Sequence, residues 1–93
     1  VIKPDEAVRV GIASRAVEGD VTEAAAEVAA AIAANGPVAV RLCKRAIHEN
    51  ADSSLASALA AEVSLFAMCF ATDDQKEGTA AFLEKRQADF KGR

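Results

Sequence analysis

Residues 72–93, TDDQKEGTAAFLEKRQADFKGR, decide how this chain of 93 residues is read. Thr72 followed three positions later by Gln75 is a helix-start signature: the hydroxyl accepts a first-turn N–H and the amide reaches back. Asp73 and Asp74 place negative charge at the positive end of the helix dipole. The amphipathic pattern carries the helix to about residue 86, with a basic end made of Lys85, Arg86, Lys91 and Arg93. Phe82 and Lys85 then fall three apart on one helical face.

Working upstream, Ser54 supplies an N-cap for a helix over residues 55–71. Its large side chains form one row of Leu55, Leu59, Val63, Phe66 and Phe70 and a second of Leu65, Met68 and Cys69, with Glu62 the only charge. A helix apolar nearly all round is buried on more than one side, so the second side is expected to meet another subunit or domain. Before it, Gly36 ends one helix and Pro37 opens the next, which runs to about Asn50. Val38, Ala39, Leu42, Cys43, Ala46 and Ile47 form its expected buried stripe, opposite Arg41, Lys44, Arg45 and His48. The helix before that spans residues 21–35, begins with an Asp20/Glu23 capping box and carries Ala24, Val28 and Ile32 on one face. Near the start, Pro4 and Asp5 open a short helical run that Gly11 ends. Residues 12–17, IASRAV, read as one short strand. A lone strand cannot satisfy its own backbone, so it either pairs with a sheet outside this segment or is not a strand here. The fold class is mainly α, about four or five helices with that single orphan strand.

Apolar residues make up 52% of the chain, but much of this is alanine, and the aromatic residues are four Phe with no Trp or Tyr. Alanine favours helix while burying little area. The composition therefore predicts helices that form readily around a thin core, and a chain that wants a partner. A net charge of −3 argues against a nucleic-acid protein of the general electrostatic type. Cys43 and Cys69 have no metal-ligand or CxxC spacing and read as buried free thiols, in keeping with a cytoplasmic protein. No signal peptide is recognisable, and no run of about 18 residues is free enough of charge to span a membrane.

Motifs for catalysis are absent: no Gly-rich phosphate loop, no G-x-S-x-G and no H-E-x-x-H. His48, the one histidine, lies on a polar face and reads as a surface residue. Glu23 and Glu27 read as solubilising charge. Glu62 is either a perturbed acid or a structural carboxylate paired with Arg41 or Arg45, and the rule that buried charges are paired favours the second. The basic stripe of Arg41, Lys44, Arg45 and His48 could bind an anion but fits a solvated face. The Phe82/Lys85 pair could stack on a base and meet a phosphate; spacing alone favours a core Phe beside a surface Lys.

A resemblance alters that last weighting. DDQKEGTAAFLEKRQADFKGR is similar to the ending of crotonases, the enoyl-CoA hydratase/isomerase superfamily, in which an acidic pair, Gln-Lys-Glu-Gly, a Phe and Glu-Lys-Arg recur in order. AVRVGIASRAV resembles the close of the family's core domain. ANGPVAVRLCKRAIHEN looks like its helix pair around an Asn-x-Pro turn, and SLASALAAEVSLFAMCFAT like the long helix that follows. The resemblance implies a spiral ββα core followed by a helical region that packs into trimers, commonly paired as hexamers. It implies acyl-CoA thioester chemistry, with an enolate oxyanion held by backbone N–H groups. In hydratases, a pair of glutamates delivers water across the C2–C3 double bond. Those groups belong to the core, so no catalytic residue maps onto this chain, which alone is expected to be inactive. Phe82 and Lys85 match residues that contact the nucleotide end of CoA, often that of a neighbouring subunit's ligand.

On this reading residues 1–20 are the end of the core domain and residues 21–93 a C-terminal helical oligomerisation domain of an enoyl-CoA hydratase-type enzyme. The expected partners are an acyl-CoA thioester, the core domain of the same protein and further copies in a trimer or hexamer, with no nucleic acid and no membrane. Acyl-CoA is the substrate, so no cofactor and no metal are expected. The alternatives are another crotonase activity (isomerase, dehydratase or decarboxylase) or a free-standing helical interaction module.

Overall fold

A computed structural model describes residues 1–93. It holds α1 (Pro4–Arg9), α2 (Val21–Ala33), α3 (Pro37–Glu49), α4 (Leu55–Cys69) and α5 (Asp73–Glu84), and no strand. The mainly α class expected from the sequence is what forms. The chain divides into two compact units, Val1–Ala30 and Ala31–Arg93.

In the first unit, Pro4 starts α1, where its missing N–H costs nothing. Gly11, at φ +80, ends it. The Gly11 N–H donates to the Val8 carbonyl at 3.1 Å and the Ile12 N–H to the Ala7 carbonyl at 2.9 Å, the paired bonds of a Schellman turn. The strand expected at residues 12–17 is not present. The N–H groups of Ile12 and Ala13 are both taken by the Ala7 carbonyl, and no second strand offers a ladder. At the start of α2 the Asp20 carboxylate accepts the Thr22 N–H at 2.7 Å, an N-cap bond to the second helical residue in place of the expected Asp20/Glu23 box. Arg15 donates to the Ala24 carbonyl at 3.0 Å and lies 3.9 Å from the Glu27 carboxylate, so Glu27 is a paired charge.

In the second unit the Asn35 side-chain amide donates to the Ala31 and Ile32 carbonyls, and Pro37 opens α3 behind a buried Gly36. Helices α3 and α4 pack against each other. The stripe expected on α3 is only partly covered. Leu42 is buried at 7% exposure, Val38 and Ala46 are half-buried, and Ala39, Cys43 and Ile47 are exposed. One neighbouring helix covers one line of side chains, not a full face. The two thiols are free, but Cys43 is exposed and Cys69 half-buried rather than both buried.

Ser54 caps α4 by accepting the Ser57 N–H at 3.3 Å. Leu65 and Cys69 are half-buried, while Leu55, Leu59, Val63, Phe66 and Phe70 stay exposed. That row is the second apolar side anticipated from the sequence. No helix is long and apolar enough to cross a membrane.

Helix α5 leaves α4 at an angle of 81°. The Thr72 hydroxyl accepts the Gln75 N–H at 3.1 Å, but the Gln75 amide turns to the Thr79 hydroxyl instead of reaching back. Residues 87–93 then fold along one line of α5. Asp74, 6% exposed, accepts the N–H groups of Lys91 at 2.6 Å and Gly92 at 2.8 Å. Its own N–H donates to the Arg93 carbonyl at 3.1 Å. A Cβ built on Gly78 would stand 3.2 Å from the Phe90 ring, which therefore lies directly on the helix backbone.

Asp74→Ala is expected to release the tail, with a loss of about 2–3 kcal/mol from the two charge-assisted bonds. Amide exchange at Lys91 and Gly92, beside denaturant unfolding of the whole protein, measures both effects. Unchanged exchange at those two amides would refute the tether.

Candidate functional site

The site proposed from the sequence lies at the end of α5. Ala81 faces inward at 2% exposure, whereas its neighbour Phe82 is 82% exposed. Phe82 is thus no core residue. Its ring borders an open groove of about 470 Å³, which also runs past Ala39, Cys69, Gln75, Gly78 and Phe90. Lys85 does not line that groove.

Helix α5 stops earlier than the pattern suggested, and this changes the site. Glu84 is its last residue, and Lys85 adopts the left-handed conformation at φ 55, ψ 39. Phe82 and Lys85 therefore do not share a helical face. The Lys85 N–H donates to the Phe82 carbonyl at 3.3 Å and the Arg86 N–H to the Ala81 carbonyl at 3.0 Å. These are again the bonds of a Schellman turn, with lysine where glycine is the usual residue. Lys85 is the one non-glycine residue with positive φ. For a residue with a Cβ, that conformation costs about 1 kcal/mol or more.

Arg86, next in sequence, is fully engaged. It donates to both Glu77 oxygens, at 2.6 and 2.9 Å, and to Glu84 at 2.6 Å. Glu77 also accepts the Asp89 N–H at 2.9 Å. The Arg86 bonds first, and the Asp89 N–H second, draw the Glu77 carboxyl down to about 2. Arg86 is correspondingly raised. Lys91 pairs with Asp89 at 2.6 Å, while the Lys85 ammonium makes no hydrogen bond or ion pair within the chain. Of the cations around the turn at residues 85–86, Lys85 is the one left available.

The other candidates stay apart. Glu62 is exposed at the rim of an apolar groove between α3 and α4, without the arginine partner expected for it. Arg45 instead binds Glu49 at 2.8 Å, one turn further on its own helix. His48 is exposed, as a surface histidine should be. Sequence reasoning missed Asp74 and Glu77 as tail-holding residues. Their signal was present in the spacing Asp74, Glu77, Gly78, Ala81, a single helical line of carboxylates and small residues that leaves room for a returning segment.

A sequence profile described as enoyl-CoA hydratase/isomerase matches residues 1–93. The chain belongs to the enoyl-CoA hydratase/isomerase family. It is 44% identical over 94 residues to the short-chain-enoyl-CoA hydratase of Clostridium acetobutylicum, covering 99% of this chain and 36% of that protein. It is 42% identical over 91 residues to the crotonyl-CoA hydratase of Syntrophomonas wolfei, covering 97% of this chain and 35% of that one. Among solved structures, an enoyl-CoA hydratase of Geobacillus kaustophilus superposes with a TM-score of 0.92 at 35% identity, over 99% of this chain and 35% of its own. The chain thus spans about a third of the length of these crotonase-fold relatives.

Titrating the Glu77 carboxyl by its ¹³C shift is the expected check on the clamp. The folded value is depressed below the ordinary 4.5, so the unfolded chain binds the extra proton. Stabilisation from the clamp is complete above about 4.5 and fades as pH falls towards 2. A midpoint near 4.5 in the folded protein would mean that the clamp is not formed.

Proposed function

We propose that this chain is the C-terminal helical region of an enoyl-CoA hydratase-type enzyme, and that it contributes one wall of the nucleotide end of an acyl-CoA site. The observation that carries the reading is the end of α5, where Phe82 is exposed and Lys85, three residues on, is exposed and unpaired. An open aromatic face can stack on adenine, and an unpaired ammonium can meet the neighbouring phosphates. Membership of the family supplies the ligand class.

The reaction proposed for the whole protein is addition of water across the C2–C3 double bond of a 2-enoyl-CoA thioester. Carboxylates of the core would move the protons and paired backbone N–H groups would hold the enolate oxygen. No residue of this chain is assigned to those steps, and no cofactor beyond the substrate is needed for them. The exposed row on α4, from Leu55 to Phe70, is the surface proposed to meet the core domain or a second copy in a trimer or hexamer. A reducing, cytoplasmic setting agrees with two free thiols.

Phe82→Ala and Lys85→Ala in the whole protein should each weaken CoA binding about tenfold, as loss of a stacking or charge contact of ~1–2 kcal/mol would. Calorimetric titration with CoA measures this, and indifference to both changes would leave the helical region with no part in the CoA site. A purified chain confined to these residues should not hydrate crotonyl-CoA, as followed by loss of enoyl-thioester absorbance. Turnover by that chain would sink the division of labour.

A further inference from the structure

The same helix-ending turn occurs twice in this protein, with different residues at the left-handed position. At Gly11 the turn is closed by two backbone bonds, with glycine supplying the positive φ freely. At Lys85 the backbone bonds are the same, but a side chain occupies the strained position. The second turn also has what the first lacks, a set of side-chain bonds tying the residues that follow back to the helix they leave. Glu77, two turns back on α5, takes both arms of Arg86 and the Asp89 N–H. Arg86 also holds Glu84, the last residue of α5. The residues on either side of Lys85 are therefore fixed, while Lys85 itself stays exposed and unpaired.

We propose that Glu77 and Arg86 are positioning residues, which lock the left-handed turn at Lys85 so that its ammonium and the Phe82 ring together face the nucleotide of CoA. This rests on the reading of Phe82 and Lys85 above and adds the device that orients them. The adjacent cations divide the work. Arg86, with a planar fork suited to bidentate carboxylate binding, serves as the internal brace. Lys85, a point charge on a flexible stem, serves as the outward contact. A lysine in the left-handed region is tolerated because the clamp over-determines the turn.

The test uses the whole protein in its native assembly and compares binding of CoA with that of pantetheine, which lacks the nucleotide. Glu77→Gln is expected to weaken CoA about tenfold, equivalent to ~1.4 kcal/mol, and to leave pantetheine unchanged. The double exchange Glu77→Arg with Arg86→Glu should recover only part of that loss, because it restores the ion pair between the two positions but not the acceptor for the Asp89 N–H or the bond to Glu84. Arg86→Lys, which keeps the charge but loses the fork, is the milder second variant should Glu77→Gln fold poorly, and it should act in the same direction. Equal weakening of CoA and pantetheine would show a merely structural role and overturn the proposal. So would unchanged CoA binding in Glu77→Gln or Arg86→Lys while Lys85→Ala still weakens it. If Lys85→Ala has no effect, the underlying reading of Lys85 fails and the positioning role falls with it.

Discussion

One buried carboxylate ties the last helix, the tail and the start of α3 together. Asp74 sits in the first turn of α5, where the free N–H groups of a helix start favour negative charge. At 6% exposure its charge would be costly if unpartnered, and the N–H groups of Lys91 and Gly92 offset that cost. The tail is thereby bent back until its end reaches the beginning of α3. A Cβ placed on Gly92 would lie 3.5 Å from the Pro37 ring, and one on Gly36 would lie 3.7 Å from both Asp74 and Phe90. The Asn-Gly-Pro turn before α3 leaves a gap that the Asp74 side chain and the Phe90 ring border. Loosening Asp74 would free the tail that carries Asp89, and with it one of the bonds on Glu77.

Such polar ties matter because apolar burial within the chain is scant. Leu42 and Ala81 are its buried hydrophobic residues. A leucine contributes about 2 kcal/mol on burial, against roughly 1–2 kcal/mol of backbone entropy for every residue ordered. Caps, Schellman turns and ion pairs fix local geometry but do not close that gap. The exposed rows on α4 and the uncovered part of the α3 stripe are apolar surface that the chain itself does not cover. This is what an alanine-rich sequence with few aromatic residues implied.

Much of this was legible in the sequence, because helix punctuation is local. Pro4, Gly11, Asp20, Gly36, Pro37, Ser54 and Thr72 mark helix ends through bonds spanning only a few residues, and the helices begin where those residues place them. What could not be read depended on partners distant in sequence. Residues 12–17 have strand-like composition, but a strand exists only with a neighbour, and their first N–H groups cap α1 instead. Of the two arginines expected for Glu62, Arg45 is held by a nearer glutamate, Glu49, and Arg41 forms no ion pair with it. The end of α5 was misplaced because Lys85 and Arg86 are good helix formers. The turn that stops the helix is closed by backbone bonds between residues 81 and 86, but the side-chain bonds that brace it come from Glu77 and the returning tail, which no window of local propensity contains.

Gly78 shows the same tension from the other side. In mid-helix it costs α5 about 1 kcal/mol relative to alanine, and Asp73, Asp74 and Thr79 are weak helix formers too. Local preference argues against a helix of this composition, yet the absent side chain is what admits Phe90. Phe90 on Gly78 and Lys91 with Gly92 on Asp74 then bring the chain past Glu77, where Asp89 and Arg86 are caught. The helix thus gives up intrinsic stability at Gly78 and regains it by docking the tail, and the docked tail in turn holds Lys85 in a conformation it would not choose alone. Places where local rules are broken and then compensated are where a sequence is shaped by something other than stability. In this chain two such places, Gly78 and Lys85, lie two turns apart on the element that presents Phe82.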